Sequence, residues 1–204
     1  MRRMGVDMVF DRIVNAVLVC GMEACLLHYF RRDGKWDFQT GFRALRYFTV
    51  LSNVLCAVGA LAILLTPSDV LPFGVWLLKY LGTAAVTVTL LTVLLFLGPT
   101  LGYKLLFQGQ DLYLHLIAPL LAILSFCFME RDHTLTFGWS LLGLIPMLLY
   151  GVFYLWQVVL RKPAGWEDFY GYNKNGKWPV SFALMVVGTF LLCMLLLLLT
   201  KIAV

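Results

Sequence analysis

Few side chains in this sequence can do chemistry from inside its long apolar runs. Four are ionisable: Glu23, His28, Lys79 and His115. A second group, Thr49, Ser52 and Asn53, follows Arg46-Tyr47-Phe48 within about one helical turn. An imidazole that titrates near neutrality, a carboxyl whose pKa rises on burial and a hydroxyl beside them are the materials of acid–base chemistry. They are equally the materials of interhelical hydrogen bonds. Membrane threonines usually bond their own backbone, and Thr83, Thr87, Thr89, Thr92 and Thr189 stand in comparable apolar runs. An ionisable group in hydrocarbon costs at least about 2.5 kcal/mol, so each needs a partner, water or a route to the interface. For Lys79 the expectation is snorkelling from the start of its span. Glu23 reads as an interhelical anchor, and His28 lies close enough to the interface to be wet.

The elements that must position these groups belong to a membrane protein. Of 204 residues, 61% are hydrophobic and 13% charged, against roughly 25% charged in soluble domains, and mean hydropathy is +0.86. A bilayer core about 30 Å thick takes about 20 apolar residues per helix. The chain divides that way into spans predicted at 13–30, 47–66, 71–97, 112–129, 135–160 and 180–199. Arg31-Arg32-Asp33-Gly34-Lys35 ends the first, Pro67-Ser68-Asp69 the second, Gly98-Pro99 the third and Glu130-Arg131-Asp132-His133 the fourth; Pro146 predicts a kink in the fifth. The expected fold class is all-α: a polytopic six-transmembrane-helix bundle, with residues 1–204 as a single membrane domain because no linker is long enough to fold alone. Met1-Arg2-Arg3 reads as retained rather than as a secretory signal, since Asp7, Asp11 and Arg12 precede the apolar stretch and no small-residue cleavage pattern follows.

Chain direction then sorts the candidates by depth. Loops after the first, third and fifth spans share one side and carry ten basic residues, against six on the other side. The excess favours cytoplasmic odd-numbered loops, although Arg2 and Arg3 pull the first helix the other way. Glu23 and His28 lie towards the odd-loop end of their span, His115 lies one turn into a span entering from that side, and Thr49, Ser52 and Asn53 enter there too. They converge on one membrane face. Tyr29, Trp36, Tyr47, Tyr103, Tyr113, Trp156 and Trp166 read as an aromatic belt. Cys20, Cys25, Cys56, Cys127 and Cys193 lie in spans without Cys-x-x-Cys spacing, which favours packing over a disulfide or zinc framework.

Arg46-Tyr47-Phe48-Thr49-Val50-Leu51-Ser52-Asn53 and His115-Leu116-Ile117-Ala118-Pro119-Leu120-Leu121 resemble two segments of the androgen-induced gene family of membrane hydrolases and its uncharacterised prokaryotic relatives. The likeness extends loosely over nearly the whole chain, including Gly165-Trp166-Glu167-Asp168-Phe169-Tyr170-Gly171. It implies a six-span bundle, a prokaryotic plasma membrane and hydrolysis of fatty acid esters of hydroxy fatty acids, with Thr49 as nucleophile and His115 as its base. The Thr-x-x-Ser-Asn pattern departs from the animal segment, which leaves the ester itself open.

On that reading Asp111, four residues before His115, orients the imidazole or caps the helix; Asn53 supplies an oxyanion donor or bonds between helices; Ser52, Glu23 and His28 support the site. No cofactor, metal or nucleic acid is expected; the partners are the bilayer and a lipid or lipid-ester substrate. Gly138-Trp139-Ser140 is not a nucleophile elbow, and His-Glu-x-x-His, phosphate-loop and dinucleotide fingerprints are missing from the sequence. The competing classes are a non-catalytic binder or transporter of lipids or amphiphiles, and an assembly protein whose polar residues only lock helices.

Overall fold

A computed structural model describes residues 5–68 and 70–202, so Arg2, Arg3 and Asp69, used above for topology, lie outside the described residues, as does the side chain of Asp7. Apolar residues on nearly every face leave these segments one way to satisfy their backbone in lipid, and they are helical. α1 (Gly5–Phe30) is followed by a hairpin, β1 (Arg31–Arg32) and β2 (Lys35–Trp36), turning through Asp33 and Gly34 at φ of 50° and 78°. Then come α2 (Phe38–Ala44), α3 (Phe48–Leu64), α4 (Phe73–Leu101), α5 (Tyr103–Leu106), α6 (Gly109–Met129), α7 (Phe137–Leu160) and α8 (Trp178–Ile202).

α1, α4, α6, α7 and α8 are each long and apolar enough to cross a bilayer. The candidate for a sixth crossing is the bent pair of α2 and α3, the latter with 17 residues, joined at 89°. At 1.5 Å per residue α3 extends about 25 Å, slightly less than the hydrocarbon thickness. The chain is therefore an all-α, multi-pass integral membrane protein, with five spans among the described residues, or six when the bent pair is counted.

α4 is the central helix. Lys79, Tyr80 and every residue from Gly82 to Leu90 are buried, and α3, α6, α7 and α8 all pack on it. Its closest approach, to α3, depends on small residues: a Cβ at Gly82 would lie 2.6 Å from Cys56 Cα, and one at Gly59 would lie 3.0 Å from Lys79 Cα. Backbones meeting this closely gain dispersion contacts that lipid cannot match. Cys25, Cys56, Cys127 and Cys193 are buried as packing residues, whereas Cys20 is exposed.

Gly98-Pro99 does not end the third span. Pro99, Pro119 and Pro146 each sit in the first turn of a renewed α-segment, after a π-turn at Val93–Leu97, a π-turn at Tyr113–Ile117 and a 3-10 turn at Leu141–Leu144. A proline lacks an N–H and clashes with the carbonyl four residues back, and the altered pitch just before each ring accommodates both. α4 stops instead at Gly102, whose φ of 89° a side chain would resist.

Lys79 does not snorkel. It is fully buried, its ammonium donates to Asn15 Oδ1, and it pairs with Glu130 Oε1 at 3.3 Å. Asn15 Nδ2 donates in turn to Asp11 Oδ1 at 3.0 Å and Glu130 Oε1 at 3.1 Å, while Trp76 Nε1 donates to the Glu130 carbonyl at 2.9 Å. Partners on α1 and just beyond α6 held the charge in place, and the single segment around Lys79 carries no sign of them. Two members of the expected belt also turn inwards. Tyr113 donates to Leu18 O at 2.8 Å over Gly21, and Trp166 packs beneath the Arg46 guanidinium.

Candidate functional site

The bend between α2 and α3 builds the site. Because the chain turns through 89°, the amino end of α3 opens inside the protein instead of continuing from a preceding helical turn. No side chain caps it from the N-cap residue Tyr47. The Phe48 N–H is met by the Tyr170 hydroxyl at 3.0 Å, from a segment 122 residues further on. Thr49, the next residue, lies in the first turn, where unsatisfied amides and the helix dipole favour negative charge.

Thr49 borders a narrow cavity of about 40 Å³ bounded by α3, α4, α7, α8 and the connection between α7 and α8. The remaining lining is apolar or hydroxylic: Thr89 and Thr92 from α4, Tyr150 and Tyr154 from α7, Tyr170 and Tyr172 from the connection, with Met147, Met185 and Leu97 among the apolar walls. Among the described residues no charged side chain lines it.

Ser52 and Asn53 do not face the cavity. Ser52 Oγ donates to Thr49 O at 3.0 Å and accepts from Thr89 Oγ1 at 2.9 Å, clamping α3 to α4. Asn53 Nδ2 donates to Thr49 O at 2.8 Å and to Leu114 O at 3.1 Å. Both acceptors are carbonyls, so the amide orientation is fixed and its two N–H groups are committed. Of its two readings, the oxyanion donor falls and the interhelical bond stands. Asn53 ties α3 to the residue before His115.

His115 is buried within the π-turn of α6, and its Nδ1 lies 2.8 Å from Leu106 O. A carbonyl only accepts, so Nδ1 carries the proton and Nε2 keeps a lone pair. Asp111 thus does not orient the ring; a backbone carbonyl of α5 does. Nor does Asp111 cap α6, whose first residue is Gly109 and N-cap Gln108; it lies in the first helical turn, where a carboxylate suits the dipole. His115 is not among the residues lining the cavity, and among the described residues no direct hydrogen bond joins it to Thr49.

Glu23 and His28 are exposed and lie outside this group. α1 packs through Val14, Leu18, Met22 and Cys25, and Glu23, one residue past Met22, is carried 100° away from that face. Depth alone had grouped them with the site; helix rotation separates them.

The connection after α7 is the part that sequence reasoning left without a role. Asp168 accepts from Tyr154 Oη at 2.9 Å, Tyr172 N at 2.9 Å and Asn173 N at 2.7 Å, and Tyr170 N donates to Tyr154 Oη at 3.1 Å. One carboxylate therefore winds the loop so that Tyr170 comes down on the amino end of α3. Burial pushes the Tyr170 phenol up to about 12, against the opposing pull of the Phe48 N–H, so it stays protonated at neutral pH. The signal available beforehand was an acidic residue amid closely spaced aromatic residues between two spans. Among the described residues no cluster of three or more His, Cys, Asp or Glu side chains could hold a metal.

No protein-family model, no curated protein and no solved structure matches this chain.

Proposed function

We propose that this protein is a membrane-embedded hydrolase of lipid esters, with Thr49 as nucleophile and His115 as general base. The observation that carries the reading is Thr49 itself: a hydroxyl in the first turn of a helix whose amino end opens onto a cavity without charged walls. Uncharged walls suit a neutral ester group, and its carbonyl would meet the one end of a helix that favours developing negative charge. The tethered Nδ1 of His115 leaves Nε2 as the basic atom, and Asn53 holds the two helices together at that level.

In the proposed reaction Thr49 Oγ1 bonds to the ester carbonyl carbon as its proton passes to His115 Nε2, directly or through one water, and the carbonyl π pair moves onto oxygen. Collapse breaks the carbon–alkoxy bond, and the leaving oxygen takes the proton from His115. Water then adds to the acyl-threonine by the same route in reverse, releasing the acid. Fatty acid esters of hydroxy fatty acids are the substrate class suggested by the sequence resemblance, and a prokaryotic plasma membrane is the location it suggests.

A fluorophosphonate probe applied to detergent-solubilised protein tests the reading. Wild type is expected to label and to hydrolyse a fluorogenic fatty ester; Thr49→Ala and His115→Ala are expected to lose both while keeping their elution profile. The second reading, a non-catalytic binder of a neutral amphiphile, is favoured by the position of His115 outside the cavity lining. It predicts ligand binding without covalent adduct, and binding retained in His115→Ala.

A further inference from the structure

The hydrolase reading leaves open what stabilises the oxyanion, since Asn53 has no N–H to spare. We propose that the Tyr170 hydroxyl is the donor that stabilises the oxyanion formed on the carbonyl attacked by Thr49. The assignment rests on the hydrolase reading and extends it to a residue 121 positions away in sequence.

A phenol offers one proton and two acceptor sites. The acceptor side of Tyr170 takes the Phe48 N–H at 3.0 Å. The proton must therefore be given away. Tyr150, the neighbouring phenol, donates its own proton to Arg46 O at 2.7 Å and so can only accept. The other neighbour is Thr49, which follows Phe48 in the first turn of α3 and lines the same cavity as Tyr170. A hydroxyl that accepts from a helix amide on one side and shares a cavity with the nucleophile on the other is polarised to donate where charge develops. Tyr170 and Thr49 both line the cavity, so a carbonyl within reach of Thr49 Oγ1 is within the field of both.

The rest of the loop keeps this donor fixed in advance. Asp168 and Tyr154 hold the backbone on both sides of Tyr170, and the ring packs against Tyr150 with centroids 6.4 Å apart and Tyr154 with centroids 5.4 Å apart. A preoriented dipole needs no reorganisation when the carbonyl oxygen gains charge. A polar residue filling space gives no such differential stabilisation.

The test uses the full-length protein in detergent micelles with a fluorogenic fatty ester and a trifluoromethyl ketone, which forms a tetrahedral adduct. Tyr170→Phe is expected to lower kcat roughly 10²- to 10³-fold and to weaken the ketone by a similar factor, with KM for the ester within about two-fold. A merely structural role would move KM, ketone affinity and folded yield together. If Tyr170→Phe keeps kcat within about three-fold while Thr49→Ala abolishes turnover, the Tyr170 assignment is wrong and the hydrolase reading survives. If wild type neither turns over nor labels, or Thr49→Ala remains active, both fall. Should Tyr170→Phe not fold, 3,5-difluorotyrosine at position 170 keeps the ring and acidifies the phenol. The alkaline limb of kcat should then move to lower pH, and an unmoved limb overturns the assignment.

Discussion

Replacing Glu130 by glutamine isolates the charge of the buried pair that joins α1, α4 and the end of α6. The glutamine retains the side-chain volume and can still accept from Asn15, and the backbone carbonyl that receives Trp76 Nε1 is untouched. What it removes is the anion 3.3 Å from a fully buried ammonium. At an effective dielectric near 20, unit charges at that separation attract by about 5 kcal/mol. Removing one partner of a buried pair typically costs about 3–5 kcal/mol, because the remaining charge stays desolvated. For a protein of this size that corresponds to a fall in Tm of roughly 6–20 °C. The assay is thermal unfolding in a fixed detergent, read by tryptophan fluorescence, on Glu130→Gln, Lys79→Met and the double variant. Each single variant should lose several kcal/mol, while the double variant, Lys79→Met with Glu130→Gln, should recover much of the loss. Asp11 then determines how completely, because it shares Asn15 with the pair. A Glu130→Gln Tm within about 2 °C of wild type would refute the claim that a charge, rather than a hydrogen bond, holds Lys79 at depth.

Other outcomes follow from the same geometry. Gly82→Val should separate α3 from α4, since even a Cβ meets Cys56 Cα at 2.6 Å; overpacking of this kind costs about 1–3 kcal/mol, measurable as a lower Tm. Asp168→Ala removes the acceptor of two amides and one phenol, so the 164–173 connection should become the first site of limited proteolysis, and on the proposed hydrolase function ester turnover should fall with it. Asn53→Leu should reduce turnover more than it reduces stability, because it releases Leu114 O and with it the placement of His115. Tyr170 carries a pH signature. Its folded pKa is raised to about 12, above the usual value of about 10, so its contribution to stability is complete below pH 10 and lost as pH rises towards 12. Alkaline titration should loosen the loop only in that window, and Tyr170→Phe should abolish that component.

The sequence by itself was enough for the all-α class and for nearly every span, because hydrocarbon demands internally satisfied backbone and about 20 apolar residues per crossing, and that demand is local. It also nominated Thr49 and His115, through two segments that resemble those of a known hydrolase family. Rotation and partnership were not local. Whether Glu23 faced a neighbour or the outside depended on which stripe of α1 packed, and Val14, Leu18, Met22 and Cys25 took it outward. Lys79 looked like a snorkelling end because its partners, Asn15 and Glu130, are 64 and 51 residues away. The roles of Asn53 and Asp111 turned on hydrogen-bond counts that only the bundle fixes, and Tyr170 reached the site through a loop wound by Asp168. Periodicity and solvent decide where helices run; which side chains meet is decided by long-range packing, where each donor has one proton to give and several distant acceptors compete for it.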